Sequence, residues 1–500
     1  MKFIGRFGAL AAAGSAVALL LTGCTGGSGG TGGGGSDSGH FDGVPDSLAE
    51  RLNSYAVHTS ENSKLDAHFF GITGASSLSE AMEKDILKAF KSGGAFHGRR
   101  ALDPALTDPE ERWEAPKFIE QPGQGPTASA TGQDGAGSTS QASGGATASS
   151  TSGAGKGKEQ KVTAENSVVA AGGHFLVSRL STTVGGQATQ RVFVTDLEKN
   201  ETQPGSALFS DAQKYGADQV GAMTVDDKAL PVVDGSAVDK GDLSDLGTQV
   251  RQAMGEDLQL PSDDKSYEPD YSCGLLPCVA VTYDDGPGTP QQTKELKGYL
   301  KDANIRATFF QIGTNVKQYP KANKELLDMG NEVENHSWNH PQLSRLSGSK
   351  LAQQLDRTDK ALEAAGVPKS TMLRPPYGAT SAAVDKQVDK RIIQWDVDTL
   401  DWKTRSTPKT VKTGTSMSQP GSVILMHSIH EPTIKAAPQL YKNLKAKGLY
   451  PVTSGYLFKG LPFEAHGEYF CRGYRSAMCS NPEHPMVEKG KAKAKPAPED

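Results

Sequence analysis

Val279-Ala280-Val281-Thr282-Tyr283-Asp284-Asp285-Gly286-Pro287-Gly288 runs from a short apolar segment into two adjacent carboxylates and a turn. A run this short, rich in β-branched residues and stopped by Gly and Pro, reads as a buried strand rather than a helix. Neighbouring strand residues point to opposite sides. The two carboxylates can therefore serve one site only if the chain bends at once, and Gly286 with Pro287 is expected to supply the bend. By itself Asp-Gly-Pro-Gly is an ordinary solvated turn; the apolar strand before it sets this one apart.

Working outward, similar runs lie at residues 305–311, 332–335, 371–374, 392–397, 423–426 and 449–452, making seven expected strands with 279–283. Helical patterns fall between them, for example at 291–302, 349–364 (burying Leu351, Leu355 and Leu362) and 438–447. Strand and helix in alternation predict parallel βα units, closed or nearly closed into a barrel. Polar residues then sit where such a fold gathers them. Asp284 and Asp285 end the first strand, His336 follows the third, Arg374 ends the fourth, Asp398 and Asp401 follow the fifth, and His427 follows the sixth. In a βα barrel these strand ends converge on one face, so residues remote in sequence meet around one substrate.

Each cluster has a plain reading when taken alone. His336 and His340, spaced i and i+4, can share a cation on a helical turn or tight loop, but the spacing is weak evidence until a carboxylate such as Asp284 or Asp285 joins them. Arg374-Pro375-Pro376-Tyr377-Gly378 could be a loop with a surface cation. Asp398-Thr399-Leu400-Asp401-Trp402 could be a helix cap with a core Trp, and His427 a satisfied core histidine. Five such clusters at one face of one barrel are not a chance arrangement. Two His, one carboxylate and open positions suit a catalytic Zn²⁺, with Co²⁺ or Mn²⁺ fitting the same donors.

Together, TYDDGP at 282–287, HSWNH at 336–340, RPPYG at 374–378, DTLDW at 398–402 and LMH at 425–427 resemble the polysaccharide deacetylase (NodB-homology) family, in order and over about residues 278–455. The resemblance implies an α/β fold with a distorted, seven-stranded (β/α) barrel. It implies that Asp285, His336 and His340 hold a metal, that Asp284 is the general base paired with Arg374, and that His427 is the general acid paired with Asp401. The backbone N–H of Tyr377 would stabilise the oxyanion, while Trp402 and Leu425 would line a pocket for the acetyl methyl. Tyr283 stands where Phe is usual, and Ser428 where members commonly carry Asp, which bears on how His427 is supported.

The remainder of the 500 residues is organised differently. Lys2, Arg6, an apolar run and Leu21-Thr22-Gly23-Cys24 have the layout of a secretory signal over residues 1–24, and the last four residues resemble a bacterial lipobox. Lipidated Cys24 would anchor the protein on the extracytoplasmic face of the cell membrane, followed by a Gly/Ser tether at 25–40. Residues 116–158 read as a disordered insert splitting a small α+β domain, 41–115 and 159–260, which precedes the deacetylase domain at 273–480 (core 279–452). Within it Ser77 and Glu80 suggest a capping box for a helix carrying Leu78, Met82, Ile86, Leu87 and Phe90. Strands are expected at 167–171, 174–181 and 188–196, with a turn at Gly185 and Gly186. This region is similar to modules preceding envelope-anchored peptidoglycan deacetylases and to one in a lysozyme-sensing anti-sigma factor, which implies wall binding. The tail 481–500 reads as disordered.

Cys273, Cys278, Cys471 and Cys479 flank the barrel and allow three pairings; bridges that staple its ends are favoured over two local loops. With 53 basic and 58 acidic residues and a net charge of −5, the chain lacks the basic footprint of a nucleic-acid binder. The expected partners are a cell-wall glycan, most simply peptidoglycan, and the membrane. Chitin-type glycans or O-acetyl xylan would fit the same residues, and a catalytically silent glycan-binding or lysozyme-sensing lipoprotein is the reading from another class.

Overall fold

The computed structural model describes residues 48, 51–58, 65–94, 160–261, 267–346, 348–461 and 463–472. The chain divides into two compact units, 1–38 and 39–500, and all described residues belong to the second. Cys24, the tether, the insert 116–158, Cys479 and the tail 481–500 lie outside them. No helix among the described residues is long and apolar enough to cross a membrane.

The N-terminal sheet runs in the order β1 (Leu52–His58), β2 (Leu65–Ile72), β3 (Val162–Gly172), β4 (Phe175–Val184), β5 (Gln187–Asp196) and β6 (Glu201–Pro204). Only β2 and β3 pair in parallel; the rest is antiparallel. Gly185 and Gly186 make the expected two-residue turn of β4 and β5, both at positive φ (58° and 88°), where a Cβ would be strained. The helix Ser76–Ser92 buries Leu78, Met82, Ile86 and Phe90, with Leu87 half-buried. Its expected capping box does not form. The helix begins earlier, after Ala75, and the Ser77 N–H donates to Asn200 Oδ1, so the cap comes from the β5–β6 turn. A small antiparallel sheet follows: β7 (Thr224–Val225), β8 (Pro231–Val233) and β9 (Ser236–Ala237).

The C-terminal sheet is wholly parallel, in the order β15 (Val397–Asp398), β16 (Val423–His427), β10 (Cys278–Gly286), β11 (Thr308–Gln311), β12 (Glu332–Asn335), β13 (Met372–Leu373), β14 (Arg391–Ile393) and β18 (Glu468–Tyr469). In addition, β17 (Tyr450–Val452) pairs with the start of β10. The expected seven strands become nine. The segment 392–397 breaks into β14 and β15, because Gln394 and Asp396 turn to other partners: Gln394 Nε2 donates to Glu468 Oε1, and Asp396 accepts from Val423 N–H and Ser422 Oγ. Only four residue steps separate Ile393 from Val397, a reach of at most about 14 Å. Yet β15 lies at one end of the sheet and β14 next to the other. The sheet must therefore curl into a half-open barrel. Helices Pro290–Asp302, Gly348–Ala364 and Glu431–Ala446 cover it, the last starting earlier than expected and carrying Pro438 inside it.

One apolar core joins the two sheets. Tyr55, Phe69, Ile72 and Leu78 of the N-terminal region pack in the same cluster as Leu275, Ala280, Phe310, Val423, Val452 and Phe458. Hydrogen bonds reinforce the seam: Tyr271 Oη donates to the Phe70 carbonyl at 2.6 Å, and the Ser272 N–H to Glu83 Oε2 at 2.8 Å.

Cys273 and Cys278 bond to each other, so this pair does not staple the barrel ends. They are five positions apart and Leu275 and Leu276 between them are buried, which folds the segment back on itself just before β10. Cys471 is also disulfide-bonded. Because so small a loop removes little chain entropy, Cys273→Ser with Cys278→Ser should lower unfolding free energy by only about 2 kcal/mol in denaturant titrations. A loss above about 4 kcal/mol, as expected for a long closed loop, would show that the pair does more than close a local turn.

Candidate active site

Asp284 and Asp285 reach the same site because Asp285 is itself left-handed, with φ 66°, where the β10–β11 pairing shifts register between Tyr283 and Gly286. The reversal thus begins one residue before the expected Gly-Pro bend. Gly286 allows a close approach: a Cβ there would meet the side-chain ends of Gln311 and Ser428, which would have to move aside. The Asn315 side chain holds the turn by donating to the Asp285 carbonyl at 2.8 Å.

His336 follows β12 and is 2% exposed. Its Nδ1 donates to the Arg374 carbonyl at 2.6 Å, which leaves an Nε2 lone pair facing the site. The segment to His340 is a tight loop, not a helical turn, with Ser337 and His340 left-handed (φ 66° and 63°). Asp285 Oδ1 lies 3.4 Å from His336 Nε2 and 3.3 Å from His340 Nε2. Burial pulls the His340 imidazole down to about 4, helped by the charge of His336. Burial pushes the Asp285 carboxyl up, but the contact with His336 and the charges of His336, His340 and His427 outweigh this and hold it well below the usual carboxylate range. Ligand atoms of Asp285, His336 and His340 all lie within 4.8 Å of one another. Asp285 Oδ1 is buried and accepts no hydrogen bond. With the two imidazoles neutral, their lone pairs converge with that of Asp285, and such a donor set fits a divalent cation.

Arg374 is not on a surface loop but fully buried. Its Nη1 donates to Asp284 Oδ1 at 2.8 Å and to Thr282 Oγ1 at 2.6 Å, its Nε to the Ile393 carbonyl at 3.0 Å, and its Nη2 to the Gln394 carbonyl at 3.0 Å. The guanidinium also stacks over Phe310, 4.3 Å from the ring centre. Asp284, 3% exposed, is left with Oδ2 facing the site, 3.8 Å from His336 Nε2.

Across the site, His427 Nδ1 donates to Asp401 Oδ1 at 2.9 Å, and its Nε2 is 4.0 Å from Asp285 Oδ2. Asp401, 1% exposed, also accepts from the Trp402 and His427 N–H groups and from Thr433 Oγ1. Burial alone would lower the His427 imidazole, but the Asp401 hydrogen bond and charge, with Asp284 and Asp285, push it up to about 9. Asp401 moves the other way, below its usual range, as burial is outweighed by His427.

Other expected residues fall as follows. Asp398 accepts from the Leu400 N–H at 2.9 Å and shapes the turn ahead of Asp401. Tyr377 is left-handed (φ 63°) and 57% exposed, its ring 4.6 Å from that of His340. Trp402 is 43% exposed beside Asp401, and Leu425 is buried two residues before His427, on the same face of β16. Ser428 bonds to Asp284 instead of His427: its N–H and Oγ both donate to the Asp284 carbonyl, at 3.1 and 3.3 Å. Tyr283 places its extra hydroxyl 2.6 Å from that of Tyr441. Sequence reading gave no role to Thr282, although it opens the motif at 282–287, and missed Phe310, Thr433 and His430, whose ring lies 5.7 Å from His427. Of the last three, His430 alone had a visible signal, standing three residues after His427.

A family model described as polysaccharide deacetylase matches residues 274–393. The peptidoglycan-N-acetylglucosamine deacetylase PgdA of Listeria monocytogenes is 37% identical over 193 residues, covering 38% of this chain and 41% of that protein. The chain thus spans about two fifths of that relative's length. A peptidoglycan-N-acetylglucosamine deacetylase of Bacillus cereus is 32% identical over 188 residues, 36% of this chain and 68% of its own. A chitooligosaccharide deacetylase of Azorhizobium caulinodans is 33% identical over 153 residues, 30% of this chain and 72% of its own. Identity above 30% over more than two thirds of two of these relatives, with the motif residues gathered at one end of the barrel, makes the chain a member of the polysaccharide deacetylase family.

Proposed function

We propose that the chain hydrolyses N-acetyl groups on an aminosugar polymer of the cell wall, peptidoglycan foremost, using a divalent metal of which Zn²⁺ is the expected one. The observation that carries this reading is the opposition of two tuned pairs, Asp284 with Arg374 and His427 with Asp401, around Asp285, His336 and His340. Those three residues would hold the ion, which supplies polarisation of the acetamide carbonyl and acidification of the attacking water.

Arg374 occupies one oxygen of Asp284, so the other is directed at the site, where it takes the proton of the attacking water. Asp401 accepts the Nδ1 proton of His427 and holds the ring as the imidazolium, whose Nε2 proton is then available to the departing amine. The Tyr377 N–H would steady the oxyanion, and Trp402 with Leu425 would shape the space for the methyl, where few apolar contacts suffice to reject bulkier acyl groups. Similarity of the N-terminal region to wall-associated modules supports a role in positioning, and Cys24 supports a lipid anchor on the outer face of the cell membrane.

Acetate release from purified wall, chitin oligomers and acetylated xylan tests the chemistry and ranks the substrates together. Release should stop with chelator, return with Zn²⁺, and fall about 10²–10⁴-fold in Asp284→Asn. No acetate with Zn²⁺, Co²⁺ or Mn²⁺ would favour the silent glycan-binding reading. Cys24→Ala should move the protein from the membrane fraction to the soluble one; retention on the membrane would refute the anchor.

The acid side has its own test. In the metal-free protein, imidazole NMR should place His427 at about 9, with Asp401→Asn bringing it down because the imidazolium loses its anion. Since the folded value lies above the unfolded one of about 6.5, the stability this pair contributes is full below about 6.5 and is lost as pH rises through the folded value. An unshifted His427 in Asp401→Asn would contradict the pairing.

A further inference from the structure

The loop carrying the two imidazoles is built on disfavoured backbone, with Ser337 and His340 both left-handed, so its surroundings must over-determine it. A chain of buried hydrogen bonds enters from behind β12. Lys390 Nζ, 5% exposed at the side chain, donates to Asp359 Oδ2 at 2.8 Å and to the Ser370 carbonyl at 2.6 Å. Asp359 Oδ1 accepts from Ser370 Oγ at 2.8 Å and from Asn335 Nδ2 at 2.7 Å. Asn335 Nδ2 also donates to the Leu355 carbonyl at 3.0 Å, and its Oδ1 accepts the Ser337 N–H at 2.8 Å. Ser337 Oγ then accepts the His340 N–H at 3.1 Å.

The direction of this chain is its content. An amide can face either way, but a carboxylate and a carbonyl only accept. Asp359 and Leu355 therefore compel Asn335 to turn its NH₂ toward them, which presents its oxygen to the Ser337 N–H. Lys390 donates to the other oxygen of Asp359, so the carboxyl group meets donors on both oxygens. A buried ion pair is a poor source of stability compared with apolar packing of the same volume, so stability alone does not account for Lys390 and Asp359 beneath the loop.

We propose that Lys390, Asp359 and Asn335 are positioning residues that set the orientation of His336 and His340 for metal binding, touching neither substrate nor ion. The proposal rests on the reading that Asp285, His336 and His340 hold a divalent ion. Asp359→Asn would let the carboxamide donate and so release Asn335; Asn335→Ala would cut the chain; Lys390→Met with Asp359→Leu would replace the ion pair by apolar bulk.

The test is titration of Co²⁺ into the metal-free full chain, followed by its visible absorption, with thermal unfolding in parallel. All three variants should bind Co²⁺ about 10- to 100-fold more weakly, the double variant doing so without a matching fall in Tm. Leu362→Ala, a fully buried change on the same helix, should lower Tm and keep Co²⁺ affinity within about threefold of wild type, since its cavity acts on packing alone. Wild-type affinity in Asn335→Ala and Asp359→Asn, or equal weakening in Leu362→Ala, overturns the positioning role. Failure of the wild type itself to bind Co²⁺ overturns the metal reading and this inference with it, an outcome distinct from the other two.

Discussion

Arg374 is a guanidinium buried among β10, β11 and the end of β14, and much else is arranged to keep it there. Its donors take up the carbonyls of Ile393 and Gln394, at the end of β14 where the strand breaks, together with the Thr282 hydroxyl and the Asp284 carboxylate on β10. Phe310 on β11 lies against its face. Burial lowers its hold on the proton, and Asp284 counters that. A cation so enclosed must have an anion, and the anion must stay. The guanidinium thus ties β10 to the end of β14 and holds one carboxylate pointed into the site. The backbone carbonyl of Arg374 meanwhile fixes the His336 tautomer. One residue connects the sheet, Asp284 and His336.

What the sequence made legible was the periodic part. Apolar runs and helical spacing located the strands of the barrel and the helices over it, because those elements are buried on predictable faces. The polar residues at strand ends followed, since parallel strands align those ends. What stayed hidden depended on contacts distant in the chain. Residues 392–397 look like one strand until Gln394 and Asp396 find partners on β18 and at residues 422–423. Asp285 reads as a strand residue until its register with β11 slips. Ser77 and Glu80 match a cap motif, but Asn200 reaches the helix first. Cysteine spacing left the pairing open, and only the fold of residues 273–278 decides for a local bridge.

The site divides along the same line. Its charged members carried signals of their chemistry; the groups that orient them did not, even where, as with Thr282, they stand inside a motif. Thr282, Thr433 and Phe310 are ordinary strand and helix residues by composition, and their roles come from which side chain they happen to face. Ser428 illustrates the converse, a departure in a motif position that bonds the Asp284 carbonyl and leaves His427 to be held by Asp401.

The shared core beneath the barrel has a bearing on how such a protein can be divided. Tyr55, Phe69 and Leu78 contribute to the same apolar cluster as Ala280, Phe310 and Val423, and Phe310 in turn supports the guanidinium. A catalytic half severed ahead of β10 would leave wet the floor on which its own arginine rests. The six-stranded sheet is in this sense less an appended module than the foundation slab of the active site, and evolutionary exchange of one for another would require the barrel's underside to change with it.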